Sequence, residues 1–481
     1  VTSVSSPVAA PWRGRALLAI LAASTLVRLL GAVWIPLLDD EAHYWVWSRH
    51  LMWGFPDHPP MIAGLVWLGT HLAGDSAFGI RLMPVVYGSL STVAIYALAS
   101  RLFSPQAGLR AALLFQAIPA FAANGIMAAP DAALALYWLL AMLFAWIAIE
   151  EGAGWAWPAA GAMVGLVIQC KLAGGAIALS LVGFVLASGR SRPWLRTPGP
   201  YLAAVTGAVV VSPLLWWNLT HGLATVRRAL VIDAWVHPTT IVGNIAALLG
   251  SQFVYYAPLG FPILVAGLLA VVRRRSDERF RFLWWCAAPT LAIVLLGSLR
   301  ALAKPHYTGP ALLSATIAAA AMWPSWRAQR ALRAGLVTSA AMTALMVALA
   351  AVPNPLLRQL HDEARGWRAA AAEVERVLPA VGPANETFVL AETYQAGSQL
   401  AFALRDRVPI VVPFRGFDLW EPPSKWVNRN GLLMDHLGGP AFRSLSATFR
   451  RLEVPYTIPA APGREIRLYP GVGFLGLPRS R

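Results

Sequence analysis

The sequence predicts a mainly α, polytopic membrane protein with about eleven spanning helices, followed by a small α/β domain. Three observations carry this. Of 481 residues, 57% are hydrophobic and only 13% are charged, about half the charged share of a typical soluble domain. Apolar runs of about 20 residues recur through the first ~350 positions, long enough to cross a bilayer as helices. Beyond them the pattern shifts to short strand-like and helix-like stretches.

The apolar periods place spans at about 16–36, 78–103, 107–124, 130–149, 155–170, 172–188, 200–218, 246–272, 281–300, 306–323 and 332–352. The first reads as an uncleaved helix, because further spans follow and no small-residue cleavage site stands out. Arg28 lies within it and is expected to face the bundle interior or a water-filled cavity, where an acid is one candidate partner. The break between the fifth and sixth spans falls at Cys170-Lys171-Leu172.

The net charge of +16 sits largely in short loops. Arg13, Arg15, Arg101, Arg110, the run Arg190 to Arg196 and the run Arg273 to Arg281 share one side. The alternate loops carry fewer, including Arg49, Arg81, Lys171 and Lys304. The richer side is expected to be cytoplasmic, with the C-terminal part outside. This accounts for the charge without nucleic acid. Cys170 and Cys286 fall near opposite faces and cannot pair.

Residues 1–352 are therefore expected to form the membrane domain, with a first outer loop at 37–77, and residues 353–481 an outer domain. Pro353 and Pro355 end the last span. An amphipathic stretch runs from Asp362 to Leu378. Thr387 to Ala391 reads as a buried strand, Gln395 to Leu404 as a helix and Val408 to Val412 as a second strand.

The first outer loop is too long and too patterned for a plain connector. It holds Asp39-Asp40-Glu41-Ala42-His43-Tyr44-Trp45 and then Phe55-Pro56-Asp57-His58-Pro59-Pro60. One acid there could simply cap an interfacial helix. Four of them (Asp39, Asp40, Glu41 and Asp57) point to a site. Asp131 follows Pro130 at the start of the fourth span, where capping and function are both open readings. Lys171 interrupts an apolar stretch; it either marks a site or snorkels to the interface. Lys304, His306 and Tyr307 open the tenth span and suit phosphate or sugar hydroxyls, or interface anchoring. The expected topology puts all of these on one face. Acids and bases at one membrane surface suit a phosphorylated lipid: a carboxylate takes a hydroxyl proton and cations meet the departing phosphate.

Asp40-Glu41-Ala42-His43-Tyr44-Trp45 and Phe55-Pro56-Asp57-His58-Pro59-Pro60 resemble the first outer loop of bacterial membrane glycosyltransferases with the GT-C fold. These form the superfamily of protein O-mannosyltransferases and lipid A aminoarabinose transferases. Pro130-Asp131-Ala132 resembles its second acidic motif. The likeness continues through Lys171, through Lys304-Pro305-His306-Tyr307, and through Gly366-Trp367, Glu392-Thr393-Tyr394-Gln395 and Asp418-Leu419-Trp420. Relatives that modify lipid A carry Glu-Lys before the two prolines, where this chain has Asp57-His58.

The resemblance implies a single-step, inverting transfer of a sugar from a polyprenyl-phosphate donor, of the undecaprenyl type, to an acceptor hydroxyl or phosphate. Asp40 would be the base, with Glu41 and Asp131 assisting. Tyr44, Asp57, His58, Lys171, Lys304, His306 and Tyr307 would contact substrate. A divalent metal held by Asp40 and Asp131 is compatible but not demanded. The acceptor would be a lipid, glycan or protein at the periplasmic face of a bacterial inner membrane. Two other classes fit the polar groups: a transporter or flippase of lipid-linked sugars, and a non-catalytic envelope assembly protein. A transporter should show inverted repeats and broken midplane helices, and the sequence shows neither.

Overall fold

The computed structural model describes residues 11–230, 241–299, 302–323, 326–352, 354, 358–413, 416–436, 440–461 and 464–477. Pro353 and Pro355 lie outside the described residues. Along the chain the helices are α1 (Pro11–Trp34), α2 (Asp39–Arg49), α3 (Met61–Ala73), α4 (Ala77–Leu102), α5 (Pro105–Ala117), α6 (Pro119–Asn124), α7 (Pro130–Glu150), α8 (Ala156–Cys170), α9 (Ala176–Ala187), α10 (Gly199–Thr220), α11 (Ala224–Leu230), α12 (Ile241–Tyr255), α13 (Gly260–Arg273), α14 (Glu278–Ser298), α15 (Gly309–Met322), α16 (Trp326–Ala351), α17 (Arg358–Val381), α18 (Tyr394–Ala403) and α19 (Pro440–Ser446).

Two compact units emerge from the packing. One comprises Val1–Ala32, His58–Met61 and Met83–Val347; the other comprises Val33–Asp57, Ile62–Leu82 and Ala348–Arg481. Of the first outer loop, Val33–Asp57 and Ile62–Leu82 pack with the C-terminal chain and His58–Met61 with the helical bundle.

The first unit is the helical bundle. Among the described residues, six helices are long and apolar enough to cross a membrane, and the pair α12 and α13, bent by 114°, makes a seventh candidate. The chain is a multi-pass membrane protein, but the eleven expected spans differ in detail. Pro119 splits the third into α5 and α6. The fifth, sixth and tenth correspond to α8, α9 and α15, of 15, 12 and 14 residues. At about 1.5 Å per residue these reach only about 18–23 Å, short of a ~30 Å hydrocarbon layer. The eighth span turns at Ala257, whose φ of 69° is left-handed and costs an ordinary residue about 1 kcal/mol or more.

Arg28 is buried, as a charge within a span must be, but its partner is not an acid. Its Nη2 donates to Gln116 Oε1 at 2.6 Å. Gln116 in turn donates to Thr92 Oγ1. A Cβ at Gly88 or Gly125 would collide with the guanidinium, so these two positions give the side chain its room. Cys170 and Cys286 are both buried and unbridged.

The second unit contains the α/β domain. Strands β1 (Phe388–Ala391), β2 (Ile410–Val411), β3 (Gly431–Asp435), β4 (Phe449–Leu452), β5 (Tyr456–Ala461) and β6 (Arg464–Phe474) form one sheet. Its order is β2-β1-β3-β6-β4, with β5 also paired to β6. β1 runs parallel to β2 and β3, and β6 antiparallel to β3, β4 and β5. Phe388, Leu390, Val411, Trp426, Leu433, Leu445, Phe449 and Phe474 fill the core on one face. Thr393 caps α18 by accepting from Ala396 N–H at 3.2 Å.

α2 packs against α18 and is fixed by one arginine. Arg81 Nε donates to Glu41 Oε1 at 2.7 Å, and its Nη2 meets Glu41 Oε2. The same guanidinium donates to the carbonyls of Ile35 at 2.6 Å and Pro36 at 2.8 Å. Arg81 and Glu41 side chains are 0% and 2% exposed. Removing one partner strands a buried charge, which costs about 3–5 kcal/mol. Arg81→Ala should therefore lower the melting temperature and expose residues 35–50 to protease, and Arg81→Met with Glu41→Leu should recover much of the loss. An unchanged melting curve in Arg81→Ala would refute the pair's role.

Candidate functional site

Each unit holds one cluster of the expected residues. In the helical bundle the centre is Asp131. It lies in the first turn of α7, after Pro130 at a position where the missing N–H is harmless. Lys171 terminates α8, with extended φ and ψ of −152° and 136°. The carboxylate thus stands at the positive end of one helix and the ammonium at the negative end of the next, where each is favoured. Lys171 Nζ donates to both Asp131 oxygens, at 2.9 and 2.8 Å. The side chains are 16% and 15% exposed.

Other basic groups surround this pair. Lys171 Nζ sits 5.9 Å from the centre of the Tyr307 ring, and His306 packs edge-on to that ring at 4.7 Å. Lys304 is exposed and His306 half-buried. Their turn is pinned from below. Thr308 Oγ1 donates to the buried Gln252 Oε1 at 2.8 Å, while Gln252 Nε2 donates to the Pro305 carbonyl at 3.4 Å. His58 feels the same charges. Its pKa is lowered from 6.5 to about 4, mainly by desolvation and then by Lys171, Lys304 and His306, with Asp131 opposing them. His58 is therefore neutral at pH 7.

In the other unit the centre is Tyr394, at the start of α18. Its hydroxyl donates to Asp40 Oδ1 at 3.1 Å. Burial raises its pKa above the usual tyrosine value, and Asp40, Asp57 and Asp39 raise it further. Tyr394 thus remains a proton donor, bonded to Asp40 and within electrostatic reach of Asp57 and Asp39. Asp39 accepts from Gln399 Nε2 at 2.9 Å, and the same amide nitrogen donates to the Leu37 carbonyl at 3.1 Å. His43 lies beneath, with Nδ1 3.1 Å from Ser398 Oγ and its ring stacked on Phe417 at 5.7 Å.

Two expected residues take other surroundings. Both Glu41 oxygens are engaged by Arg81, so its geometry fits a residue that positions α2 and not one that assists at the reacting atoms. Tyr44 is buried beside Trp47, with ring centres 5.4 Å apart. Asp131 is bound to Lys171, and among the described residues no three His, Cys, Asp or Glu side chains group as metal ligands would.

Tyr394 and Arg81 were missed as site residues. Arg81 had a signal: an arginine just inside a long apolar helix must find a partner. Tyr394 had only its place in a motif, since its bond to Asp40 joins residues 354 positions apart.

Residues 57–217 match the family model described as dolichyl-phosphate-mannose-protein mannosyltransferase. The lipid A galacturonosyltransferase RgtD of Rhizobium johnstonii is 27% identical over 381 residues, covering 76% of this chain and 77% of that one. Among solved structures, ArnT from Cupriavidus metallidurans bound to undecaprenyl phosphate superposes with a TM-score of 0.67 at 16% identity. It covers 96% of this chain and 99% of ArnT. The archaeal oligosaccharyltransferase AglB from Archaeoglobus fulgidus, in complex with an inhibitory peptide and a dolichol-phosphate, gives 0.55 at 14% identity, over 88% and 70% of the two chains. The helical bundle with its small strand-containing domain has the GT-C fold, and the matches make the chain similar to bacterial GT-C membrane glycosyltransferases.

Proposed function

We propose that the protein transfers a sugar from a polyprenyl-phosphate donor to a hydroxyl of a lipid acceptor at the periplasmic face of a bacterial inner membrane. The observation that carries this reading is the grouping of Lys171, Lys304, His58 and His306 about the single carboxylate of Asp131. Two lysines against one acid leave net positive charge for a phosphate, and the half-buried imidazoles add hydrogen-bond donors. The relatives point the same way: one was solved with undecaprenyl phosphate, and another is a lipid A galacturonosyltransferase. That likeness supports a uronic acid as the sugar and lipid A as the acceptor.

In this reading Asp40 removes the proton of the acceptor hydroxyl. The oxygen attacks the anomeric carbon from the side opposite the phosphate, so the configuration inverts. The bond from the anomeric carbon to the phosphate oxygen breaks, and polyprenyl phosphate leaves with the electron pair. Lys171 and Lys304 meet the charge that develops on it. Tyr394 holds one Asp40 oxygen and directs the other to the acceptor. Asp57 and Tyr307 serve sugar hydroxyls.

Purified protein in detergent, supplied with labelled polyprenyl-phosphate galacturonic acid and lipid A, should form labelled lipid A. A flippase or an assembly protein would form none. Asp40→Asn should lose at least about 100-fold in kcat with an unchanged melting temperature; wild-type turnover would remove Asp40 from the mechanism. Lys304→Ala should raise the donor KM about tenfold and leave the acceptor KM alone. Equal effects on both would refute a donor-phosphate role.

His58 supplies a pH test. With a folded value near 4 and an unfolded value near 6.5, the unfolded chain binds more protons between these limits. Stability from neutral His58 is complete above about 6.5 and is lost as pH falls toward 4. The wild-type melting temperature should fall across that window, and His58→Gln should flatten the fall. An identical pH profile in the variant would contradict the shift.

A further inference from the structure

A cleft of about 360 Å³ opens between α9 and α14, lined by Ala187, Arg275, Ser276, Arg281, Trp284 and Trp285. Its walls are held by specific contacts. Glu278, at the start of α14, accepts from Ser188 at the end of α9 and from Arg281 Nη1 at 2.6 Å. Arg281 Nε donates to the Arg275 carbonyl at 3.2 Å, which closes the loop over the cleft. Gly183 of α9 leaves the space that the Trp285 ring occupies, since a Cβ there would collide with it.

The loop arginines are unequally committed. Arg279 pairs with Asp277 and lies over Phe103. Arg274 lies over Phe280. Arg281 is offset by Glu278. Arg275 is exposed and has no acidic partner among the described residues. Two tryptophans begin about 9 Å along α14 from Glu278, the depth at which indole rings settle between head groups and acyl chains. The outer side of α9 continues as an apolar stripe of Leu179, Val182 and Leu186, each more than half exposed.

We propose that this cleft binds the head group of an anionic phospholipid. The phosphodiester meets Arg275, Arg281 and the Ser276 hydroxyl, the glycerol region rests on Trp284 and Trp285, and an acyl chain follows the α9 stripe. Two arginines against Glu278 leave one net positive charge, which matches a phosphodiester monoanion. Basic pockets between spanning helices are suited to such head groups. None of the residues lining the cleft belongs to the proposed sugar-transfer site.

Native mass spectrometry of the full-length protein, delipidated and titrated with phosphatidylglycerol or phosphatidylcholine, tests this. Phosphatidylglycerol should bind as a discrete adduct and phosphatidylcholine should not. Arg275→Ala should weaken it about fivefold, the effect of about one interfacial charge, and Arg275→Lys should restore most of it. Arg101→Ala, an arginine outside the cleft that pairs with Glu151, should leave it unchanged. Equal retention of the two lipids, an equal loss in Arg101→Ala, or full displacement by millimolar inorganic phosphate would overturn the proposal. The first would remove head-group selection, the second would reduce it to general surface charge, and the third would make it a free-phosphate site.

Discussion

A charge taken out of water must be matched where it lands, and the Asp131–Lys171 pair shows how this chain meets that demand. Each member sits at the helix end whose partial charge favours it. The bidentate contact satisfies both carboxylate oxygens. The pair holds a carboxylate and an ammonium together at a largely buried position. Tyr307, His306 and His58 are then arranged about a fixed electrostatic point.

The same constraint builds the acidic cluster in the other unit, with a different solution. Glu41 is neutralised by Arg81, which also takes two carbonyls at the start of the preceding loop. That leaves α2 rigidly seated while its first-turn acids, Asp39 and Asp40, engage Gln399 and Tyr394. The adjacent residues Asp40 and Glu41 are therefore unlike. One is exposed and meets the neutral hydroxyl of Tyr394. The other is buried in an ion pair whose rupture would cost about 3–5 kcal/mol.

The membrane character, the helical bundle and the strand-containing tail were legible because lipid imposes long apolar runs and strands impose short ones. The span count was not, because composition cannot separate one long helix from a broken pair. Pro119 and the left-handed Ala257 decide those breaks. Arg28 was legible as a buried charge, but its partner Gln116 was not, since a neutral amide in an apolar helix carries no charge to search for. Asp131, Lys171, His58 and His306 were legible as costly groups near one membrane surface. The roles of Glu41 and Tyr394 depend on contacts with Arg81, 40 residues away, and Asp40, 354 residues away. Such distances leave no local pattern.

The central claim is that the basic cluster around Asp131 receives the donor phosphate. A cryo-EM structure of the protein with bound undecaprenyl phosphate tests it most directly. The account predicts the phosphate within about 4 Å of Lys171 or Lys304, with His58 or His306 donating to it. A phosphate lodged away from all four side chains would contradict it.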